Sequence, residues 1–286
     1  MEEKILDLYK IEGTVNLDQH PCFSNPHSFP QFQEGLEQYK YHLQELVSNR
    51  DSVTFYKFGD GDYRFLKADE VGSAKPGKRA LSLPYSEIDL NAHREGSKKC
   101  DYYTCEIYPE NRQMFSEVIE RDVDYPAEYG YGLVSNKWLT SAFSDCIGLV
   151  GAKPKLILIQ ELMKHSEYQD YLKLTNFKDY IYFPQKFAAD DLNKLEKIVR
   201  PQLEKSKSNI FLVGIGHAKN GILHKFSKWK PNSVFLDVGA GIDMIAGCIN
   251  IMRPYAGDFT NYRIHGYDYS DIDYLRYSGE GKEIIL

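Results

Sequence analysis

Residues 209-NIFLVGIGHAKNGILHKFSKWKPNSVFLDVGAGIDMIAG-247 carry the clearest structural pattern in the chain. Residues 209–213 (NIFLV) and 233–236 (SVFL) are short apolar runs of β-formers, and each leads into a glycine-bearing turn. After each turn the apolar spacing becomes helical, over 218–229 and 242–251. Strand, turn and helix repeated with short links is the pattern of a parallel sheet covered by helices. The alternation extends upstream. Residues 155–160 (KLILIQ) read as a strand, 165–174 as a helix, 180–183 as a strand and 190–203 as a helix. The strands are unbroken apolar runs, as strands buried on both faces are. No repeat or linker interrupts the pattern. Residues 1–286 are therefore expected to form a single Rossmann-like α/β domain, with a mostly parallel sheet flanked by helices.

The N-terminal half supplies more of the same. Phe32, Leu36, Tyr39, Leu43 and Leu46 recur every three to four positions, which predicts a helix over 31–49. Residues 53–58 (VTFYKF) follow as a buried strand, and YRFLKAD after it as a short helix. Further helices are expected over 86–94 with Ser86 as cap, over 109–120 opened by Pro109, and over 136–147 with Asn136 as cap. Residues 101–108 have strand propensity. Residues 1–30 read as an irregular arm holding His20 and His27, and Lys75, Lys78 and Arg79 as a solvated basic loop. The Tyr-rich tail over 255–286 is expected to wrap back over the domain.

Composition narrows the function classes. A net charge of −6 argues against a nucleic-acid binder or a polybasic membrane anchor. No apolar run reaches the length of a membrane span, and the acidic N-terminus lacks a signal-peptide core. The five cysteines form no CxxC pair and are odd in number, which fits reduced thiols and a cytoplasmic location. The 22 tyrosines suit sugar rings, although most of them serve equally well as core and surface residues.

Three strand ends carry the chemistry. The strand over 53–58 runs into Gly59-Asp60-Gly61-Asp62, where glycines let backbone approach a ligand and two carboxylates can hold a hard divalent cation. The plainer alternative is a tight turn with solvated aspartates. The strand over 209–213 runs into Gly214 and Gly216, a turn whose amides suit a diphosphate, with His217 and Lys219 placed to add hydrogen bonds or charge. The third strand ends at Asp237, followed by Gly239, Gly241 and Asp243. Read alone, D-V-G-A-G is similar to the cofactor loop of S-adenosylmethionine methyltransferases. That loop normally follows the first strand of its sheet, and here it follows the last. In a parallel sheet these carboxyl ends share one edge, where ligands bind. The combination suits a metal–nucleotide–sugar substrate, with a carboxylate to deprotonate an acceptor hydroxyl. Asp243 is the first candidate base and Asp237 the second, with Glu161 next.

Together, the Gly-Asp-Gly-Asp strand end, the turn at Gly214 and Gly216, and the motif Asp237-x-Gly239…Asp243 resemble the GT-D class of bacterial glycosyltransferases. That class includes enzymes that extend glycans on serine-rich adhesins. The likeness covers residues 53–66 and 209–247. It implies a UDP-sugar donor, a glycan or glycoprotein acceptor, and Mn2+ or Mg2+ held by Asp60 and Asp62. Gly59, Gly61, Gly214, Gly216, His217 and Lys219 would then form the nucleotide-sugar site. Asp62 stands where that class typically has glutamate, one methylene longer. Two other functions fit the same residues: a carbohydrate- or nucleotide-binding protein without turnover, and a methyltransferase.

Overall fold

The computed structural model describes residues 8–9, 29–68, 81–248, 263–264, 267 and 272. Within the expected N-terminal arm, β1 (Leu8–Tyr9) pairs antiparallel with β9 (Arg263–Ile264) from the tail, as a ribbon apart from the main sheet. Residues 1–7 and 10–28 of the arm, the basic loop of Lys75, Lys78 and Arg79, and most of the tail lie outside the described residues, while Phe29 and Pro30 already belong to the first helix, Phe29–Ser48.

The apolar runs assemble into one sheet. Its strands are β2 (Val53–Phe58), β3 (Tyr102–Cys105), β4 (Tyr125–Pro126), β5 (Ile147–Ala152), β6 (Tyr180–Phe183), β7 (Ile210–Gly214) and β8 (Val234–Asp237). They lie in the order β4-β3-β2-β8-β7-β5-β6, and every pairing is parallel. The fold is thus Rossmann-like α/β, with seven parallel strands flanked by helices.

Side chains alternate across the sheet with the period of two that a strand imposes. Phe55, Leu149, Leu212 and Leu236 join one core, and Tyr56, Val150, Phe211, Val213 and Phe235 join the other. Over the first face lie α1 (Phe29–Ser48) and the helices described below that flank β5. Over the second lie α4 (Pro109–Ile119), through Phe115 and Ile119, and α9 (Leu192–Lys205), through Leu195, Val199 and Leu203. Two short helices near the edge, α2 (Asp60–Leu66) and α3 (Leu90–Ser97), enclose a smaller cluster around Phe65, Leu66 and Leu90. Among the described tyrosines, Tyr39, Tyr56, Tyr103, Tyr131 and Tyr168 are fully buried and serve the core.

Four local expectations are corrected. The run KLILIQ is helical, within α7 (Lys153–Leu162), and the strand is the preceding Ile147–Ala152. A short apolar run carries no period that separates strand from helix, and Pro154 in the first turn favours helix. Packing requires a glycine in the true strand, since a Cβ on Gly148 would lie 2.6 Å from Ser208 Oγ and 2.9 Å from the Phe211 ring. Instead of one helix over 136–147 there are α5 (Ala127–Ser135) and α6 (Trp138–Ala142), and Ile147 already belongs to β5. Asn136 is the C-cap of α5 rather than the N-cap of a helix, which is Lys137 for α6, although the Asn136 side chain accepts the Trp138 amide at 3.0 Å. Ser86 lies in a 3-10 turn (Tyr85–Glu87), and α3 is capped instead by Asp89, which accepts the Ala92 amide at 2.9 Å. The helix expected over 218–229 is a chain of short pieces, including α10 (Lys219–Ile222) and α11 (Phe226–Trp229). Among the described residues the remaining helices are α8 (Ser166–Leu172), which follows α7 in the chain, and α12 (Gly241–Ile245), after β8.

Candidate functional site

The chain leaves β5 toward β6 and leaves β7 toward β8, on opposite sides. Connections that part in this way open a crevice at the carboxyl ends of the strands. The crevice is present, with a volume of about 320 Å³. Its floor is formed by Ala152, Gly214 and Gly239 at three strand ends, and its walls include Phe183, His217 and Asp243. Gly214 has no room for a side chain, since a Cβ there would lie 2.6 Å from Ile242 Cγ1 and 2.7 Å from the Gly239 carbonyl oxygen. The two glycine turns therefore abut. Gly216 has φ +55°, a left-handed conformation that glycine adopts without cost.

The Gly-Asp-Gly-Asp strand end does not present two carboxylates together. α2 begins at Asp60, with Gly59 as cap, so Asp60 and Asp62 point in directions roughly 200° apart around the helix axis. Asp60 faces solvent, with Arg64 Nη2 3.7 Å away. Asp62 turns inward and accepts the Gly59 amide at 3.0 Å. Gly61 sits against the His217 ring rather than in the crevice, where an added Cβ would be 3.3 Å from Cε1. Neither Gly59 nor Gly61 lines the crevice.

Asp62 belongs instead to a buried polar network. Lys219, 5% exposed, places its ammonium 3.0 Å from Asp62 Oδ2 and 3.0 Å from Asp237 Oδ2, and also donates to the Lys57 carbonyl. Burial alone would raise the Asp62 carboxyl. The Lys219 ammonium, with help from His217, overcomes that and holds it below the usual carboxylate range. Tyr56 lies under the ammonium, its ring centre 4.8 Å away, and donates its hydroxyl to Asn220 Oδ1 at 2.5 Å. Burial, reinforced by Asp62 and Asp237, pushes that hydroxyl well above its ordinary value, so it stays a donor. Lys219, expected at a diphosphate, does not line the crevice.

Asp237 serves its own loop. Its carboxylate accepts the Lys57 amide at 3.1 Å and the Gly239 amide at 2.9 Å, besides the Lys219 ammonium. Asp243 is different, because it lines the crevice and its Oδ1 pairs with the ammonium of Lys155. Lys155 was not among the expected site residues, because KLILIQ reads as a strand. As part of α7 it stands in the first helical turn beyond β5 and also lines the crevice. The signal that finds it is Pro154. Glu161, far along the same helix, is paired with Lys164 at 2.6 Å and is not at a strand end.

His217 links the buried network to the crevice. Its Nδ1 is 3.5 Å from Asp62 Oδ1, and its ring stacks on Phe65 with centres 4.8 Å apart and planes 4° from parallel. Behind Phe65 stands buried His93, packed edge-on at 4.9 Å, whose Nε2 donates to the Ala189 carbonyl at 3.0 Å. Ala189 is itself part of the crevice wall.

Among the described residues no cluster of three His, Cys, Asp or Glu side chains is arranged to hold a metal ion. Nor do Asp60 and Asp62 fit the divalent cation that the resemblance implies, since one points to solvent and the other is neutralised by Lys219. No described helix is long and apolar enough to cross a membrane. Cys100, Cys105, Cys146 and Cys248 are free thiols. Compared with family models, curated proteins and solved structures, the chain shows no match.

Proposed function

We propose that the protein is a glycosyltransferase that takes its sugar from a nucleotide-sugar bound in the crevice between β5 and β7. The observation that carries the reading is that crevice: two abutting glycine turns at the carboxyl edge of a parallel sheet, with a carboxylate and an ammonium on its wall. Bare backbone at such an edge suits a diphosphate, and Lys155 supplies positive charge to it. UDP is the nucleotide and a glycan or glycoprotein the acceptor, on the strength of the motif resemblance. The volume falls in the range of small-molecule sites.

In this reading the acceptor oxygen forms a bond to the anomeric carbon, the bond from that carbon to the diphosphate breaks, and the nucleoside diphosphate leaves. Asp243 takes the acceptor proton, because among the candidate bases it is the carboxylate that lines the crevice. Lys155 pairs with Asp243 until the donor's phosphates compete for the same ammonium. Asp62, Asp237 and Lys219 keep the strand ends in place and touch no reacting atom.

The test is ligand-induced thermal stabilisation and calorimetry with UDP, UDP-sugars, GDP-sugars and S-adenosylmethionine in chelator, since a ligand that binds the folded state raises its stability by mass action. UDP and a UDP-sugar are expected to bind, and Lys155→Gln to weaken both by about tenfold, the loss of one charge-assisted contact. Stabilisation by S-adenosylmethionine alone would identify a methyltransferase. Nucleotide-sugar binding with no release of UDP in the presence of any acceptor or water would identify a binding protein.

A further inference from the structure

The site residues disagree with the divalent cation expected of them, and the disagreement is informative. Three oxygens converge on one point at the strand ends of β2 and β8: Asp62 Oδ2, Asp237 Oδ2 and the carbonyl of Lys57. Two carboxylates and a carbonyl are the donor set of a hard-cation site. The point is filled by the Lys219 ammonium. An ammonium has three protons and no acceptor, and each proton here has one of those oxygens.

We propose that this is a cation site which the chain occupies with its own Lys219, so that the sheet edge is held together without a divalent metal. The sequence separations show what the ammonium does. Lys57 lies in β2, Asp62 in α2 just after that strand and Asp237 at the end of β8, and Lys219 arrives from α10, after the turn that follows β7. The ammonium therefore ties three adjacent strand ends together, the structural role a bound metal plays elsewhere. Displacing it is costly. Its side chain is 7% exposed, and an ammonium drawn off these oxygens would have to find new acceptors in a buried setting that includes the Tyr56 ring. Lys219, with its buried stem and saturated head, is also withdrawn from ligand binding, which leaves that work to Lys155. The proposal concerns the cradle alone and stands whether or not the crevice binds a nucleotide-sugar.

The experiment is a Mn2+ titration followed by calorimetry and by the paramagnetic resonance of free Mn2+, on the wild-type chain and on Lys219→Ala. Wild-type protein is expected to bind no stoichiometric Mn2+ and to keep its melting temperature in chelator. Lys219→Ala removes the ammonium and leaves the three oxygens around a space open to a hydrated ion. It is expected to melt lower than wild type in chelator, to recover with added Mn2+, and to bind the ion at least about tenfold more tightly than wild type, as the freed carboxylates gain a counterion. Adding Asp62→Asn should abolish the recovery. If the alanine variant does not fold, Lys219→Gln, which keeps a neutral polar head on a shorter stem, is read the same way. One-to-one Mn2+ binding by wild type that Asp62→Asn removes would overturn the proposal. So would a folded Lys219 variant whose melting temperature is indifferent to Mn2+.

Discussion

Asp60→Asn and Asp62→Asn are the same chemical change two residues apart, and the structure predicts consequences of very different size. Asp60 is solvent-exposed, and its carboxylate is 3.7 Å from the Arg64 guanidinium. Loss of such a surface pair changes stability by less than about 0.5 kcal/mol. Asp62 is 6% exposed, 3.0 Å from the Lys219 ammonium, and accepts the Gly59 amide. Removing one partner of a buried pair costs about 3–5 kcal/mol. Asp237 remains on Lys219, so the lower end applies, about 3 kcal/mol. That is a large share of the roughly 5–15 kcal/mol that holds a domain folded, and with a urea slope near 3 kcal/mol/M it moves the midpoint by about 1 M. The pH dependence has a definite sign. The folded Asp62 carboxyl is held below its unfolded value, so its contribution is fully present above the unfolded pKa of about 3.9 and is lost as pH falls through the folded one. Urea titrations of wild type and both variants at pH 7, 5, 4 and 3 measure this. The gap between wild type and Asp62→Asn should be constant from pH 7 to 5 and shrink below pH 4, with Asp60→Asn tracking wild type throughout. Equal midpoints for the two variants at pH 7, or a gap undiminished at pH 3, would refute the buried ion-pair reasoning.

Three further outcomes are expected. Gly214→Ala should cost about 1–3 kcal/mol by overpacking against Ile242 and the Gly239 carbonyl and should also lower nucleotide affinity, whereas Gly216→Ala meets no atom within 4 Å and should cost only the left-handed strain of about 1–2 kcal/mol; denaturation and calorimetry separate the two. Asp243→Asn should keep nucleotide binding and lose transfer, measured as UDP release with acceptor present, and a wild-type rate would move the base elsewhere. Burial pushes the His93 imidazole down to about 4, so folding favours its neutral form, and the resulting stability is present above the unfolded pKa and declines as pH falls from about 6.5 toward 4, with a slope of up to about 1.4 kcal/mol per pH unit; His93→Gln should flatten that decline in a pH series of urea midpoints.

The layered architecture and the sheet edge that gathers the glycine turns are legible along the chain. Runs such as NIFLV and SVFL carry no deciding period of their own, but the glycine turn and the helical spacing that follow each of them mark them as buried strands. Parallel connection then places Gly59, Gly214 and Asp237 at one edge, whatever the details of packing. Where local signals compete, the tertiary structure chose. KLILIQ became helix because Pro154 opens it and because the glycine-bearing IGLVGA alone fits between β6 and β7, where Ser208 and Phe211 leave no room for a Cβ at Gly148. The use of each carboxylate was also decided in three dimensions. Asp60 and Asp62 look equivalent in the chain, but a helix starting at Asp60 turns one to solvent and the other to an ammonium 157 residues further on. Lys219 reads as a phosphate ligand from its place after a glycine turn, and Lys155 reads as strand. Their roles exchange because the direction of a long side chain depends on which distant oxygens surround it, and spacing along the chain holds no record of those.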